Sequence, residues 1–311
     1  MSRAVSAKRG DALRPRRTAR EGTTVSWRAT RLVGARGTLL RALPQGHLTR
    51  GGSVTEDATI ARRTGVSTSP RTAAMWAAVD EVVRARSAEL ERPLRVIDLG
   101  GGTGGLAVPL AVAGHDVTVV DPSPDALASL RRRAAEAQAS SRVSAVQGDA
   151  DTLESLVGRD RPDLVLCHGT LEYVDDPQAT LAQIAGVLAP GGILSLVVPQ
   201  RSAAVIARAL AGQFVQALAA LDRPDGRWGD ADPVPRRFDR AGVVGLIEAS
   251  GLTITGAHGI RIFSDLVPSA LVDSDADRAA LLDLERAVAA HPEFAVLADL
   301  GTSLHVIASR P

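Results

Sequence analysis

The sequence predicts an α/β fold, a mostly parallel sheet with helices on both faces. Two observations carry that prediction. Between residues 94 and 198, short apolar runs alternate with stretches of helical period. The runs are apolar at successive positions, as in Leu164-Val165-Leu166-Cys167, so both of their faces are buried. A glycine cluster directly after the first run adds the ligand-binding turn that such folds carry.

The elements follow in order. Residues 71–90 place Ala74, Met75, Ala78, Val79, Val82 and Val83 at helical spacing. Leu94–Leu99 is a strand, and Leu106–Ala113 is a helix ended by Gly114. Asp116–Val120 is a strand, followed by a helix over Pro124–Ala139 with Ser123 as its N-cap. Val143–Val146 is a strand, Thr152–Val157 a short helix, Asp163–His168 a strand. Pro177–Leu188 is a helix closed by Pro190-Gly191-Gly192, and Ile193–Val198 is the fifth strand. Beyond it, Ala203–Leu221 is a helix, Asp222–Arg240 a loop rich in Pro, Gly, Asp and Arg, and Asp239–Ser250 a helix. Leu252–Ala257 and Ser303–Ser309 are late strands, with a helix over Ala276–Ala290 between them.

Charge divides the chain. Residues 1–63 hold 14 basic and 4 acidic side chains, leaving 22 basic and 31 acidic for the remainder. Residues 1–62 lack periodicity and form a basic extension of disordered composition. Such a segment is a nucleic-acid arm, a targeting peptide or a solvated tail. Its arginines are not interleaved with base-stacking aromatics, which favours the tail. Residues 63–311 make the folded domain, with 71–90 as a leading helix and 200–300 as insertions on the substrate side. No apolar run approaches a membrane span, and the single Cys167 forms no internal disulfide, so a reducing cytoplasm is the expected location, with no membrane and no metal as partner.

The loop Val96-Ile97-Asp98-Leu99-Gly100-Gly101-Gly102-Thr103-Gly104 carries the chemistry. Gly100, Gly102 and Gly105 satisfy G-x-G-x-x-G, a pattern shared with dinucleotide enzymes and weak alone. Its neighbours separate the two cofactor types. Asp98 lies two residues before the first glycine, where a carboxylate attracts an ammonium and repels a pyrophosphate. Asp121 closes the second strand and can accept both hydroxyls of a ribose. Gly148-Asp149-Ala150 follows the third strand, where an acidic side chain accepts from an exocyclic amine. Together they indicate S-adenosyl-L-methionine.

With these residues the chain resembles the class I methyltransferases, of Rossmann-like fold. The resemblance implies a seven-stranded sheet with an antiparallel last strand, the place of Ser303–Ser309. A closer resemblance spans about 240 residues. It rests on Cys167-His168-Gly169-Thr170-Leu171-Glu172-Tyr173-Val174-Asp175-Asp176-Pro177, Ala211-Gly212-Gln213-Phe214, Gly259–Asp265, Leu281–Glu285 and His305-Val306. In these stretches the chain is similar to the bacterial tRNA methyltransferases that esterify the carboxylate of 5-carboxymethoxyuridine at the wobble position. That resemblance implies cofactor contacts at Arg71, Gly100, Gly101, Asp121, Ala150, Asp151 and His168, beside Asp98, Gly102 and Asp149 from the residues themselves. Thr103 and Asp151 depart from the family, which has an acidic residue and an amide there.

Several roles stay open. Arg71 is a partner for the methionine carboxylate or a solvated helix arginine. His168 is a cofactor contact, a core histidine or a general base. Arg201, Arg236 and Arg261 are candidates for attracting an anionic acceptor, and Tyr173 for orienting it or stacking on a base. No catalytic residue is singled out: surface arginines and a core-edge tyrosine are the alternative readings of these four, and a carboxylate acceptor, already ionised at neutral pH, needs no base. Three functions are compatible: methylation of tRNA, methylation of a small metabolite, and non-catalytic cofactor binding. The acidic body is a difficulty for RNA that the basic arm or Pro233–Arg240 can offset.

Overall fold

The computed structural model describes residues 70–156 and 160–311, so the expectations for the basic segment 1–62 lie outside the described residues. Helix α1 (Pro70–Leu90) leads into β1 (Arg95–Leu99), α2 (Ala107–Val112), β2 (Asp116–Asp121), α3 (Pro124–Glu136) and β3 (Val143–Gln147). A short α4 (Leu153–Leu156) precedes β4 (Leu164–His168), α5 (Pro177–Val187) and β5 (Ile193–Pro199). Then come α6 (Arg201–Leu210), α7 (Phe214–Asp222), α8 (Arg240–Ala249), β6 (Thr253–Ile260), α9 (Asp275–Ala290), α10 (Ala295–Ala298) and β7 (Ser303–Ser309).

The seven strands form one sheet in the order β3-β2-β1-β4-β5-β7-β6. Strands β1 to β5 are parallel, and β7 inserts antiparallel between β5 and β6. This is the reversed strand expected at Ser303–Ser309. The chain winds outward from β1 through β2 to β3, then returns to place β4 on the other side of β1. At such a switch the flanking connections leave in opposite directions, and a crevice opens above the C-terminal strand ends.

Alternation along the strands feeds two apolar layers. Ile97, Leu99, Val165 and Cys167 pack with Leu181 and Ile184 of α5 and Val243 and Ile247 of α8. Val96, Val117, Val119, Leu164 and Leu166 face the other way, onto Val79 and Val83 of α1, Leu110 of α2 and Leu130 of α3. Each fully buried Val or Leu contributes about 1.5–3 kcal/mol, so the near-continuous apolar runs fix the strands centrally in the sheet. The expected cap is present: Ser123 Oγ accepts from Ala126 N–H. Asp176 caps α5 in the same way, accepting from Gln178 and Ala179.

The largest departure is at Ala203–Leu221. The expected single helix is two, α6 and α7, broken at Gly212 with φ +72°. The Gln213 N–H returns to Arg208 C=O at 2.8 Å and the Gly212 N–H to Ala209 C=O, a left-handed glycine cap. The short helix expected at Thr152–Val157 begins earlier, as a 3₁₀ turn over Ala150–Thr152 capped by Asp149. Strand β6 runs three residues beyond Ala257, to Ile260. No helix among the described residues is long and apolar enough to cross a membrane.

Candidate functional site

The glycine loop leaves the C-terminal end of β1 at the switch point. Gly100 has φ +72°, and a Cβ there would lie 2.1 Å from Thr170 Oγ1. That hydroxyl donates to Leu99 C=O, tying the loop after β4 to the end of β1. A Cβ on Gly101 would lie 2.4 Å from the Asp98 carboxyl, and one on Gly104 would strike Leu130. Gly105 has open space around its Cβ direction. The third glycine of a dinucleotide fingerprint is needed for close helix–strand packing. Here the close-packed position is Gly104, outside that spacing. The loop therefore departs from the dinucleotide pattern in its geometry.

Four carboxylates lie at or just after the ends of β1, β2 and β3. Asp98 is buried, 3% exposed, and its carboxyl is pushed up to about 7 by burial and then by the nearby charge of Asp121. A cation brought alongside would offset both causes. Asp121 holds the loop: Oδ2 accepts Gly102 N–H and Oδ1 accepts Ser123 N–H, each at 2.9 Å. Each oxygen keeps a further lone pair for a ligand hydroxyl. Asp149 Oδ1 accepts from Asp151 N–H, and Asp151 Oδ1 accepts from Gln183 Nε2, so Asp151 is tied to α5. Ala150 between them is buried. A glycine cradle, a carboxyl that favours a cation and a ribose-type acceptor fit a sulfonium nucleoside carrying an amino acid. Arg71 lies in the first turn of α1, but its side chain is outside the described residues.

A cavity of about 410 Å³ opens next to this cradle. It begins at His168 and Gly169, after β4, and extends over the ends of β5 and β7 to α6. His168 is half-buried, and the desolvation of its ring pushes the imidazole down to about 4, so it is neutral at pH 7. Glu172 lines the same wall with 8% exposure, and burial pushes its carboxyl up to about 7. Cys167, buried behind them, is raised to about 12 by burial and is no thiolate nucleophile.

Of the four acceptor candidates only Arg261 lines this cavity. It has φ +60°, and its guanidinium pairs with Asp265 at 2.5 Å. Glu285 from α9 holds the strained turn, accepting from the backbone N–H of Ile262, Phe263 and Ser264 and from Ser264 Oγ. Arg201 donates instead to Pro224 C=O and Arg236 to Val174 C=O, so both brace backbone. Tyr173 is 62% exposed, outside the cavity lining. The structure adds Arg208, Trp228, Arg237 and Glu172 to the wall. Arg208 lies over the Trp228 ring at 4.0 Å, and Arg237 makes a paired contact with the fully buried carboxylate of Asp232 at 2.5 and 3.0 Å. Arg237 is the immediate neighbour of Arg236 in sequence. Phe238 bridges to Gln200 in extended backbone there, and neighbouring residues of an extended segment project oppositely.

A family model described as a methyltransferase domain matches residues 73–255. The tRNA 5-carboxymethoxyuridine methyltransferase of Escherichia coli (strain K12) is 32% identical over 246 residues, 78% of this chain and 88% of that protein. A ubiquinone biosynthesis O-methyltransferase of Nitrobacter winogradskyi is 31% identical over 172 residues, 54% of this chain and 63% of its own. Among solved structures, magnesium protoporphyrin IX methyltransferase from Synechocystis PCC 6803, determined with bound SAH, has the same fold. Its TM-score is 0.50 at 19% identity, covering 78% of this chain and 86% of that one. The cofactor is S-adenosyl-L-methionine, a group that the residues of the cradle fit. With its sheet order, its glycine loop and these relatives, the chain belongs to the class I S-adenosylmethionine-dependent methyltransferases.

Proposed function

We propose that this enzyme methylates a carboxylate carried on a heterocyclic ring, that of 5-carboxymethoxyuridine in tRNA. One observation carries the proposal. The stretches that resemble the tRNA enzymes beyond the common fold converge on one cavity. Arg261 of Gly259–Asp265 lines it, Glu285 of Leu281–Glu285 clamps the Arg261 turn, and His305 joins His168 through Ser195. The Gly212 break between α6 and α7 ends the helix that forms its outer wall.

The chemistry asks little of the protein beyond placement. When bound, the cofactor supplies an electrophilic methyl group on a sulfonium. Asp98 faces the cofactor ammonium, Asp121 its ribose, Asp149 and Ala150 its adenine, with Asp151 beside them. Gly100, Gly101 and Gly102 let the backbone approach, and His168 borders both cofactor and acceptor. Helix α1 is the lid: Met75 lines the cavity, and Arg71, four residues before it in the helix, is the proposed partner of the methionine carboxylate. The acceptor carboxylate is ionised at neutral pH, so alignment and exclusion of water supply the rate. Arg237 and Arg261 draw the anion in. Because each guanidinium already serves an aspartate, neither clamps the anion hard enough to quench it as a nucleophile. A heterocyclic ring fits beside Trp228.

A second proposal is favoured by Glu172. A carboxyl with a pKa of about 7 in this wall can take a proton from a metabolite hydroxyl, the acceptor type suggested by the ubiquinone O-methyltransferase relatives. Nucleoside mass spectrometry of tRNA from a deletion strain tests the two. Loss of a methyl ester from the wobble uridine is the expected result. An unchanged nucleoside profile overturns the first proposal in favour of the second.

A further inference from the structure

Four polar side chains form a continuous line through the apolar interior, across β4, β5, β7 and β6. His168 Nε2 lies 2.9 Å from Ser195 Oγ. Ser195 Oγ lies 2.8 Å from His305 Nε2. His305 Nδ1 lies 3.2 Å from His258 Nε2, its partner directly across the β6–β7 ladder. The rings meet edge-on, with centroids 5.9 Å apart for His168–His305 and 4.9 Å for His258–His305. Ser195 and His305 are almost completely buried. The inner end, His168, is on the cavity wall, and its Nδ1 is buried without a partner. A buried polar line of this length is costly unless each of its bonds is made.

We infer that Ser195, His305 and His258 are positioning residues that fix the proton of His168, a residue of the cavity wall, on Nε2, leaving its Nδ1 bare as an acceptor for an N–H or O–H of the bound ligand. Counting hydrogens gives the result. Burial lowers all three imidazoles, His305 well below its ordinary value with neighbouring imidazoles adding to the effect, so the chain is neutral at pH 7. Three neutral imidazoles and one hydroxyl bring one hydrogen each. Three hydrogens fill the three bonds, and the fourth must sit at one end. It is on His168 Nδ1 or on His258 Nδ1, and every bond in between reverses with that choice.

The surroundings decide between the ends. At the inner end the hydrogen would be a buried donor with no acceptor. The outer end is half-buried at the sheet edge. The hydrogen therefore sits on His258. Then His305 donates to His258, Ser195 donates to His305, and His168 donates through Nε2 to Ser195. The line has the character of an orienting device: it sets the chemical character of one wall atom from the far edge of the sheet.

The inference rests on His168 bordering the ligand, and its test separates the two. ¹⁵N spectra of the imidazoles in the ligand-free enzyme at pH 7.5 should show an unprotonated Nδ1 and a protonated Nε2 on His168. Ser195→Ala removes the acceptor of that hydrogen and should shift the pattern toward a protonated Nδ1. His258→Leu leaves the spare hydrogen to divide between His168 Nδ1 and His305 Nδ1, both without an acceptor, so His168 should show a mixture of the two protonated forms. A protonated Nδ1 in the wild type, or a pattern indifferent to both substitutions, overturns the chain. Calorimetry with S-adenosylhomocysteine reads the ligand end. Ser195→Ala should weaken binding about fivefold, and should have no further effect once His168→Asn is present. If the spectra behave as stated while His168→Asn leaves that affinity unchanged, the ligand contact is overturned and the chain is a structural network alone.

Discussion

The cofactor cradle and the acceptor wall are built on different principles. The cradle comes from strand ends and the turns that directly follow them. Asp98 and Gly100–Gly102 flank the end of β1, Asp121 ends β2, and Asp149–Asp151 follow β3. Asp121 and Asp149 are held by backbone N–H groups, Asp121 by Gly102 and Ser123 and Asp149 by Asp151. The acceptor wall draws on residues scattered from Met75 to Ser303, and its cations are partnered by other side chains. Arg237 serves Asp232, Arg261 serves Asp265, and Arg208 covers Trp228. A cradle that recognises one invariant ligand is set by local geometry. A wall that selects an acceptor is assembled at long range, with its charges already shared, so single changes there should cost less.

The largest effect is expected at Asp121. Asp121→Ala removes the proposed ribose acceptor and releases the Gly102 and Ser123 amides together. Loss of hydrogen bonds to a charged group predicts about a 100-fold weaker affinity for S-adenosylmethionine by calorimetry. Unchanged affinity would sink the assignment of the cradle and with it the contrast between the two regions.

Next comes the pH dependence set by Asp98. Its carboxyl is raised to about 7 by burial and by Asp121, and under the proposed assignment the ionised form is the one that attracts the cofactor ammonium. Affinity should therefore be level above about pH 7 and fall as pH drops below it. Between pH 8 and pH 6 the ionised fraction changes about tenfold, and the dissociation constant with it. Asp98→Asn should bind weakly and flatly over the same range. A slope that survives this substitution would assign the titration to another group.

A smaller effect is expected at Arg261. Its guanidinium divides its charge between Asp265 and the cavity, so Arg261→Asn should raise the acceptor KM about fivefold and leave kcat nearly unchanged. Asparagine tolerates the left-handed backbone at φ +60°, so the result is free of added strain. A loss of kcat as large as that of KM would mean the guanidinium acts in the transition state, and the wall would then resemble the cradle.

The same contrast explains what is legible in the sequence. Strand–helix alternation defines the sheet as far as β5, because buried parallel strands are apolar along their whole length. The glycine loop and its carboxylates are contiguous motifs, visible without a fold. The break at Gly212 is hidden because the periodicity of Ala203–Leu221 continues across it, and only a left-handed cap interrupts the chain. Arg201 and Arg236 have the charge and the neighbourhood of acceptor residues, but a guanidinium on a long stem reaches backbone as readily as a cavity. Arg237 and Trp228 carry no local signal, since their place depends on how the loop after α7 folds back over α6. Glu172 stands in the stretch after β4 that resembles the tRNA enzymes, yet its burial is a property of tertiary packing alone.

Glu172 gives the smallest expected effect and the sharpest division between acceptors. If the acceptor is a carboxylate, Glu172 has no proton to receive. It is best tolerated neutral, since its ionised form repels the incoming anion. Raising the pH above about 7 then lowers kcat/KM for the acceptor, and Glu172→Gln, isosteric and neutral, should change kcat/KM about twofold or less at pH 7. It should also remove the decline at higher pH. If the acceptor is a hydroxyl, the sign reverses. A base works only when ionised, so kcat/KM rises with pH through about 7, and the glutamine variant loses on the order of 100-fold or more. The two readouts are independent of each other, and their agreement assigns the wall to a carboxylate or to a hydroxyl, whatever the rest of the acceptor is.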